Sequence, residues 1–198
     1  NFIAPGDWMG QLAQLQAREN VTLINERTGG LNGRIPTNSE LKTLDQKGAD
    51  HGIDYGYLTD GCYARGHLKC DTLRTEGVNR QKIFVEGPLT VKDGAVTLDG
   101  KRTDQHWSYH TAPLVLVEAE SGAVEPKVWD PTLAEFRGDS IAWYSPTDWV
   151  DGFDAGGELK VKVTDDTTYV PDRWRQGSFE TNVADAKRDV ELNNLLAQ

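Results

Sequence analysis

The chain has 198 residues, of which 37% are hydrophobic and 26% charged, an ordinary globular composition that favours one domain spanning residues 1–198. Its 31 acidic and 21 basic residues give a formal net charge of −10, which argues against nucleic acid and anionic membranes as partners. No apolar run reaches the roughly 20 residues of a membrane helix, and the N-terminus lacks the basic and apolar regions of a signal peptide.

The first part of the chain predicts two helices separated by a loop. Residues 5–7, Pro-Gly-Asp, precede a segment with apolar residues at helical spacing, which is typical of a capped helix start. The glycine-rich segment that follows, up to Pro36, is predicted to be loop. Thr37 and Glu40 then form a capping-box pattern, which predicts a second helix running to about Gly48.

A third helix is predicted from Asp60 to Gly77. Aspartate is a favoured N-cap, the segment contains no proline or run of β-branched residues, and glycine is the favoured residue just beyond a helix. One face of this helix, which we expect to pack against a sheet, contains Cys62, Gly66, Cys70 and Leu73.

The remainder of the chain predicts strands and hairpins, followed by a closing helix in TNVADAKRDVELNNLLAQ. Helices on either side of an antiparallel sheet define an α+β fold class. The strand segments are IFVEG, PLTVKDGAVTLDG with a turn at Asp93-Gly94, WSYHTAPLVLVEAESGAVEPKVWD, the region of IAWYS, and ELKVKV.

The two cysteines, Cys62 and Cys70, are too few for a disulfide framework or a four-cysteine zinc site. Cys62 lies in the first turn of the predicted helix, where unpaired backbone N–H groups and the positive end of the helix dipole favour a thiolate. This is a suitable position for a nucleophile. The alternative is that Cys62 is a small buried apolar residue, which is what we expect of Cys70 in the middle of the helix.

A nucleophilic thiol needs a base, and the four histidines are not equally suited to that role. His51 and His106 lie in polar, loop-like segments. His67 lies five residues after Cys62 on the same helix, so its side chain points away from the thiol. His110, which leads into the apolar strand APLVLVEA, is the best candidate.

Asp130 is the candidate for the group that orients His110. The chain turns back near Ser121-Gly122, which places Asp130 almost opposite His110 in the predicted hairpin. Cross-strand neighbours have Cβ atoms about 5 Å apart, or about 7 Å on the diagonal, so the carboxylate could hold the imidazole ring. The alternatives are an ordinary sheet histidine and, for Asp130, a cap at the start of a helix.

Three segments, DGCYAR, WSYH with the apolar strand after it, and WDPTL, resemble the motifs of bacterial protein-glutaminase, also called protein-glutamine deamidase. The resemblance covers residues 55–135 best, in order and spacing. It implies that Cys62 is the nucleophile, His110 the general base and acid, and Asp130 the orienting carboxylate. It also implies a single protein-glutaminase-like domain whose core is similar to those of transglutaminases and papain-like proteases.

The activity implied by this resemblance is hydrolysis of glutamine side-chain amides in proteins or peptides, through a cysteine thioester, to glutamate and ammonia. The reaction requires no metal and no organic cofactor. We expect Trp107, Ser108 and Tyr109 to form walls of the glutamine slot, with Tyr63 as a further candidate. Core packing is the alternative role for these four residues.

Several functions remain open at this point. The resemblance implies a secreted bacterial enzyme made with an inhibitory pro-segment, and the chain shows no such segment. Its two cysteines are fewer than we expect of a secreted member, which leaves a delivered effector or toxin domain specific for one target protein as an alternative. Transglutaminase-like acyl transfer, a cysteine protease and a non-catalytic binding module are the other candidates.

Overall fold

A computed structural model of the chain describes residues 6–27, 31–49, 61–92, 95–96, 102–103, 106–171 and 178–196. The helices in these residues are α1 (Gly6–Gln16), α2 (Leu41–Ala49), α3 (Cys62–Thr75), α4 (Pro131–Arg137), α5 (Pro146–Asp151) and α6 (Phe179–Leu196). The strands are β1 (Val21–Asn25), β2 (Gln81–Val91), β3 (Ala95–Val96), β4 (Arg102–Thr103), β5 (Trp107–Glu118), β6 (Val124–Trp129), β7 (Trp143–Tyr144), β8 (Phe153–Asp154) and β9 (Leu159–Thr164).

The strands form a large sheet in the order β1-β9-β2-β5-β6-β7, with β8 paired to β2 and a separate β3–β4 ribbon. The predicted α+β class is confirmed. The expectation of a purely antiparallel sheet is wrong, because β1 pairs with β9 in parallel, from Val21↔Leu159 to Asn25↔Val163. The segment containing β1 was predicted to be loop. Its strand is stabilised by a partner more than 130 residues away, a pairing that no local turn signal encodes.

Helix α3 packs closely on β5. A Cβ atom at Gly66 would lie 3.5 Å from Cγ2 of Thr111, which is ordinary contact. Leu73 shares a buried cluster with Val115 and Val117, so the predicted sheet-facing side of the helix is confirmed. The N-cap is Gly61, at φ +90°, rather than the predicted Asp60, which lies outside the described residues.

The helix and hairpin predictions around α3 are also confirmed. Glu40 accepts a 2.8 Å hydrogen bond from the backbone N–H of Thr37, as the capping-box pattern predicts. The predicted hairpin consists of β5 and β6, paired from Leu114↔Val128 to Glu118↔Val124. The predicted turn at residues 93–94 lies outside the described residues.

Strand β5 runs through the centre of the sheet and is buried on both faces. Ala112, Leu114 and Leu116 contribute to one apolar cluster, whereas Val115 and Val117 contribute to the other. This alternation follows from the two-residue period of a strand. The sheet is therefore covered on both sides along the strand that carries His110.

The β2 partner of β5 is irregular beside the start of β5. The register between β2 and β5 shifts between Glu86 and Leu89, where Gly87 adopts a φ of +152° that other residues rarely reach. Trp107 and His110 are three residues apart and would lie on opposite faces of a regular strand. Their rings nevertheless stack with each other, with 5.2 Å between centroids.

Candidate active site

Three elements bring Cys62, His110 and Asp130 to the same place. Cys62 is the first residue of α3 and is partly exposed. His110 lies near the start of β5 with only 2% of its surface exposed. Asp130 follows directly after β6, is completely buried, and caps α4. Continuing the β5–β6 register places Asp130 diagonally across from His110, two residues from the directly opposite position near which the sequence predicted it.

His110 and Asp130 form a short, buried ion pair. The Nε2–H group of His110 donates a hydrogen bond to Oδ2 of Asp130 at 2.7 Å. Burial by itself lowers the pKa of His110, but the charge and hydrogen bond of Asp130, with a smaller effect from Cys62, raise it to about 9. The imidazole ring is therefore protonated at neutral pH.

The carboxylate of Asp130 is held by several donors besides His110. Trp149 Nε1–H donates to Oδ2 at 2.7 Å, and the backbone N–H of Leu133 donates to Oδ1 at 3.2 Å. Burial would raise the pKa of this carboxyl, but His110 and its other partners hold it well below its usual range. Asp130 is thus a fixed anion at the positive end of α4.

The remaining ring nitrogen of His110 has a different environment from Nε2. Nδ1 is buried and makes no protein hydrogen bond of standard geometry. Cys62 is nevertheless near enough to raise the pKa of His110 through hydrogen bonding and charge. The order of the three groups is therefore thiol, imidazole, carboxylate.

Aromatic rings enclose the imidazole of His110. Trp107 stacks on it at an interplanar angle of 16°. Trp149 and Phe153 lie with their ring centroids 5.9 and 5.4 Å from the imidazole. These rings limit the rotation of the imidazole and exclude water from the His110–Asp130 hydrogen bond, which strengthens it.

The four residues predicted to line a substrate slot occupy different positions. Trp107 is partly exposed and adjoins His110, and Ser108 beside it is exposed. The ring of Tyr109 lies 6.4 Å from that of Phe84. Tyr63 packs edge-on against Tyr169. Trp107 is the one of the four in ring contact with His110, and binding of substrate by any of them remains a prediction.

The other cysteine and histidines lie elsewhere. Cys70 is completely buried, which raises the pKa of its thiol to about 11. His67 is buried with its Nδ1 accepting from Lys82 at 2.7 Å and its Nε2–H donating to the carbonyl of Phe179 at 3.2 Å. His106 is exposed, and His51 lies outside the described residues.

Two residues at the site escaped the sequence analysis. Trp149 lies in the short helix α5, 19 residues after the carboxylate it contacts, and no local pattern marks it. Lys69 lies on α3 with its ammonium 3.9 Å from Oδ1 of Asp130. A signal for Lys69 existed, because it falls between Gly66 and Leu73 on the buried face of the helix, where a lysine is unusual.

Other kinds of site are less well supported by the described parts of the chain. No cluster of three or more histidine, cysteine or acidic side chains suited to a metal ion occurs there. Of the helices described, none combines the length and the apolar character needed to cross a bilayer.

Comparison with known proteins gives one family and several similar structures. A family model described as glutaminase matches residues 37–146, which include Cys62, His110 and Asp130. No curated protein matches the chain. The solution structure of protein-glutaminase from Chryseobacterium proteolyticum is similar with a TM-score of 0.66 at 24% identity, over 83% of this chain and 90% of that chain.

Two crystal structures are similar to a comparable degree. That of protein-glutaminase has a TM-score of 0.61 at 23% identity, over 81% of this chain and 89% of that chain. That of pro-protein-glutaminase has a TM-score of 0.64 at 21% identity, over 99% of this chain and 69% of that chain. At these identities, the likeness shows that the chain has the same fold.

Proposed function

Because the family model matches more than half of its length, the chain belongs to the glutaminase family, and we propose that it deamidates glutamine side chains in proteins or peptides. The similar solved structures are those of protein-glutaminases, which supports protein-bound glutamine as the substrate. The observation that carries the proposal is Cys62 at the start of α3 beside the buried His110–Asp130 pair.

The first half of the proposed reaction forms a thioester. The thiolate of Cys62 attacks the δ-carbon of the glutamine side chain, and the carbonyl oxygen takes up the displaced electron pair. As the tetrahedral intermediate collapses, the C–N bond breaks and protonated His110 gives its proton to the leaving nitrogen, so that ammonia departs. The glutamyl group is then bound to Cys62, and His110 is neutral.

The second half hydrolyses this thioester. Neutral His110 takes a proton from water as the water oxygen attacks the thioester carbonyl. The C–S bond breaks, the sulfur leaves as a thiolate, and glutamate is released. His110 ends protonated, which restores the starting charges. Asp130 remains ionised throughout and keeps the ring in place, because its other donors, Trp149 and Leu133, do not depend on the state of His110.

The start of α3 also supplies stabilisation for the developing oxyanion. Backbone N–H groups in the first turn of a helix have no partner within the helix, and they point into the space beyond its N-terminal end. Those near Cys62 are therefore the natural donors to the oxygen of a substrate bound at its sulfur. Trp107, stacked on His110 and partly exposed, is the best-placed wall for the glutamine side chain.

The proposal is tested by incubating the protein with a glutamine-containing protein and analysing the product by mass spectrometry. We expect ammonia release together with conversion of glutamine to glutamate. Cys62→Ala should be inactive, whereas Cys70→Ala, which removes a buried thiol away from the site, should retain activity if it folds. Intact substrate with the wild-type protein, or full activity with Cys62→Ala, would exclude the mechanism.

The same assay separates the competing chemistries. With an excess of a primary amine, a transglutaminase gives an amine adduct, whereas a deamidase gives mainly glutamate. A protease would generate new peptide termini. Secretion by a bacterial cell, and synthesis as a longer pro-form such as those of the solved pro-protein-glutaminase, are parts of the proposal that rest on the family resemblance alone.

A further inference from the structure

Lys69 is a buried lysine that connects the nucleophile's helix to the orienting carboxylate. It lies seven residues after Cys62 on α3, and 1% of its side chain is exposed. Its ammonium group donates a 3.2 Å hydrogen bond to the backbone carbonyl of Trp129. It also lies 3.9 Å from Oδ1 of Asp130, the residue after Trp129.

A lysine in this position costs stability. An ammonium group removed from water loses its hydration, and burial lowers the pKa of Lys69 to about 8 although Asp130 acts in the opposite direction. A methionine of similar length would fill the same space at no such cost. Because Trp149, Leu133 and His110 already provide Asp130 with hydrogen bonds, hydrogen bonding alone does not explain the charge.

We propose that Lys69 is a positioning residue, which supplies the counter-charge of Asp130 during the part of the reaction in which His110 is neutral. The proposal rests on the proposed function, because it concerns the thioester stage of that reaction. Lys69 does not contact the substrate in the proposed reaction. It acts through Asp130, the only carboxylate with which it pairs among the described residues.

The charges at the site carry this inference. Before the reaction starts, the His110 imidazolium and the Lys69 ammonium both lie beside the Asp130 carboxylate. In the thioester stage, Cys62 is acylated and His110 is neutral. Asp130 is then a completely buried anion, and Lys69 is the cation that remains paired with it.

Loss of the Lys69 charge would make His110 a poorer base for hydrolysis of the thioester. An unbalanced carboxylate binds the imidazolium form more strongly, so the pKa of His110 rises and less of the neutral form is present at neutral pH. The acid limb of the profile of kcat against pH reports the titration of His110 in the acylated enzyme. This limb should move to higher pH.

Other charged or titratable groups also face this part of the site, and they remain in place in the variants. Tyr144 of β7 lies near Asp130. The groups whose charges interact with Lys69 are Cys62, Arg65 and Cys70 of α3, Asp45 of α2, and Asp130.

The test uses Lys69→Met, which removes the charge and the donor, and Lys69→Gln, which removes the charge but keeps a donor for the Trp129 carbonyl. We expect both to shift the acid limb of kcat upward by about one pH unit and to lower kcat near neutral pH by about 10-fold. Lys82→Met is the matched control, because Lys82 is an equally buried lysine that contacts His67 and Thr168 instead. It should lower the melting temperature and leave the acid limb unchanged.

A second readout does not depend on turnover. In a Cys62→Ala background, which has no thiolate, the pKa of His110 can be measured by NMR titration of its ring protons with and without Lys69→Gln. We expect the pKa to be about one unit higher without the lysine charge. If the wild-type protein fails to deamidate glutamine, the proposed function fails while this titration still tests Lys69. Unchanged His110 titration in a folded variant would overturn the role of Lys69.

Discussion

At the scale of single residues, the site is a histidine whose two ring nitrogens have different environments. Nε2 is fixed by Asp130, whereas Nδ1 is buried without a standard hydrogen bond, and Cys62 interacts with the ring. The carboxylate is therefore the group that selects the ring orientation. Its own position is set by the indole of Trp149 and the start of α4.

Replacing the carboxylate by an amide tests this assignment. Asp130→Asn keeps the shape of the side chain but removes the charge that raises the pKa of His110. The substitution can also misorient the imidazole ring. We expect kcat for deamidation to fall roughly 10²–10⁴-fold. The measurement is steady-state ammonia release across pH, together with the melting temperature.

Asp45→Asn is a matched control for that substitution. Asp45 also accepts hydrogen bonds from two indole N–H groups, those of Trp129 and Trp143, but it makes no contact with His110. This variant should lose stability and lower kcat far less than Asp130→Asn does. If Asp130→Asn and Asp45→Asn reduce kcat equally, the reduction reflects folding and not orientation of the base.

At the scale of an element, α3 carries two thiols in contrasting environments. Cys62 is partly exposed at the N-terminus beside the protonated ring of His110. Cys70, two turns further on, is completely buried, and its pKa is raised to about 11 by burial. The first position lies at the positive end of the helix dipole, whereas the second lies in the middle of the helix.

This contrast predicts selective alkylation. At pH 6, iodoacetamide should modify Cys62 much faster than Cys70 in the native protein, as measured by mass spectrometry of the labelled peptides. Cys62→Ala should abolish the fast phase, and His110→Ala should slow it, because the imidazolium no longer stabilises the thiolate. Equal, slow labelling of the two cysteines would show that Cys62 is an ordinary thiol that the site does not activate.

At the scale of the whole molecule, a buried polar network attaches α3 to the rest of the fold. Lys82 of β2 donates to His67 of α3 and to the carbonyl of Thr168, and His67 donates to the carbonyl of Phe179 at the start of α6. The network holds the nucleophile's helix against both the sheet and the C-terminal helix. It requires a neutral imidazole, because one ring nitrogen must accept from the ammonium group.

The network predicts acid destabilisation. Burial, together with the charge of Lys82, lowers the pKa of His67 to about 3, against about 6.5 in an unfolded chain. Between these two values the unfolded state binds one more proton, so the free energy of unfolding falls as the pH falls, by up to about 1.4 kcal/mol per pH unit. Urea denaturation at a series of pH values from 7 to 4 measures this slope.

A neutral substitute isolates the contribution of His67. His67→Gln retains an acceptor for Lys82 and a donor for Phe179 but cannot titrate. The difference in unfolding free energy between wild type and variant should therefore shrink as the pH falls. A difference independent of pH would mean that His67 does not carry the acid sensitivity. The carboxylates, Asp130 included, contribute the same slope to both proteins and cancel in the comparison.

The local sequence by itself determined most of the elements and the identity of the three central residues. Helix α3, the β5–β6 hairpin, the capping box before α2 and the closing helix α6 all follow from signals within a few residues. Cys62, His110 and Asp130 could be placed together because one heads a helix and the other two share a hairpin, both of which are short-range features.

Only the tertiary structure decided what surrounds those residues. Trp149 and Lys69 reach Asp130 from other parts of the chain, and β1 pairs in parallel with β9. Each of these contacts depends on how distant elements pack. Side-chain periodicity fixes which face of an element is buried, but it does not specify which residue from elsewhere in the chain packs against that face.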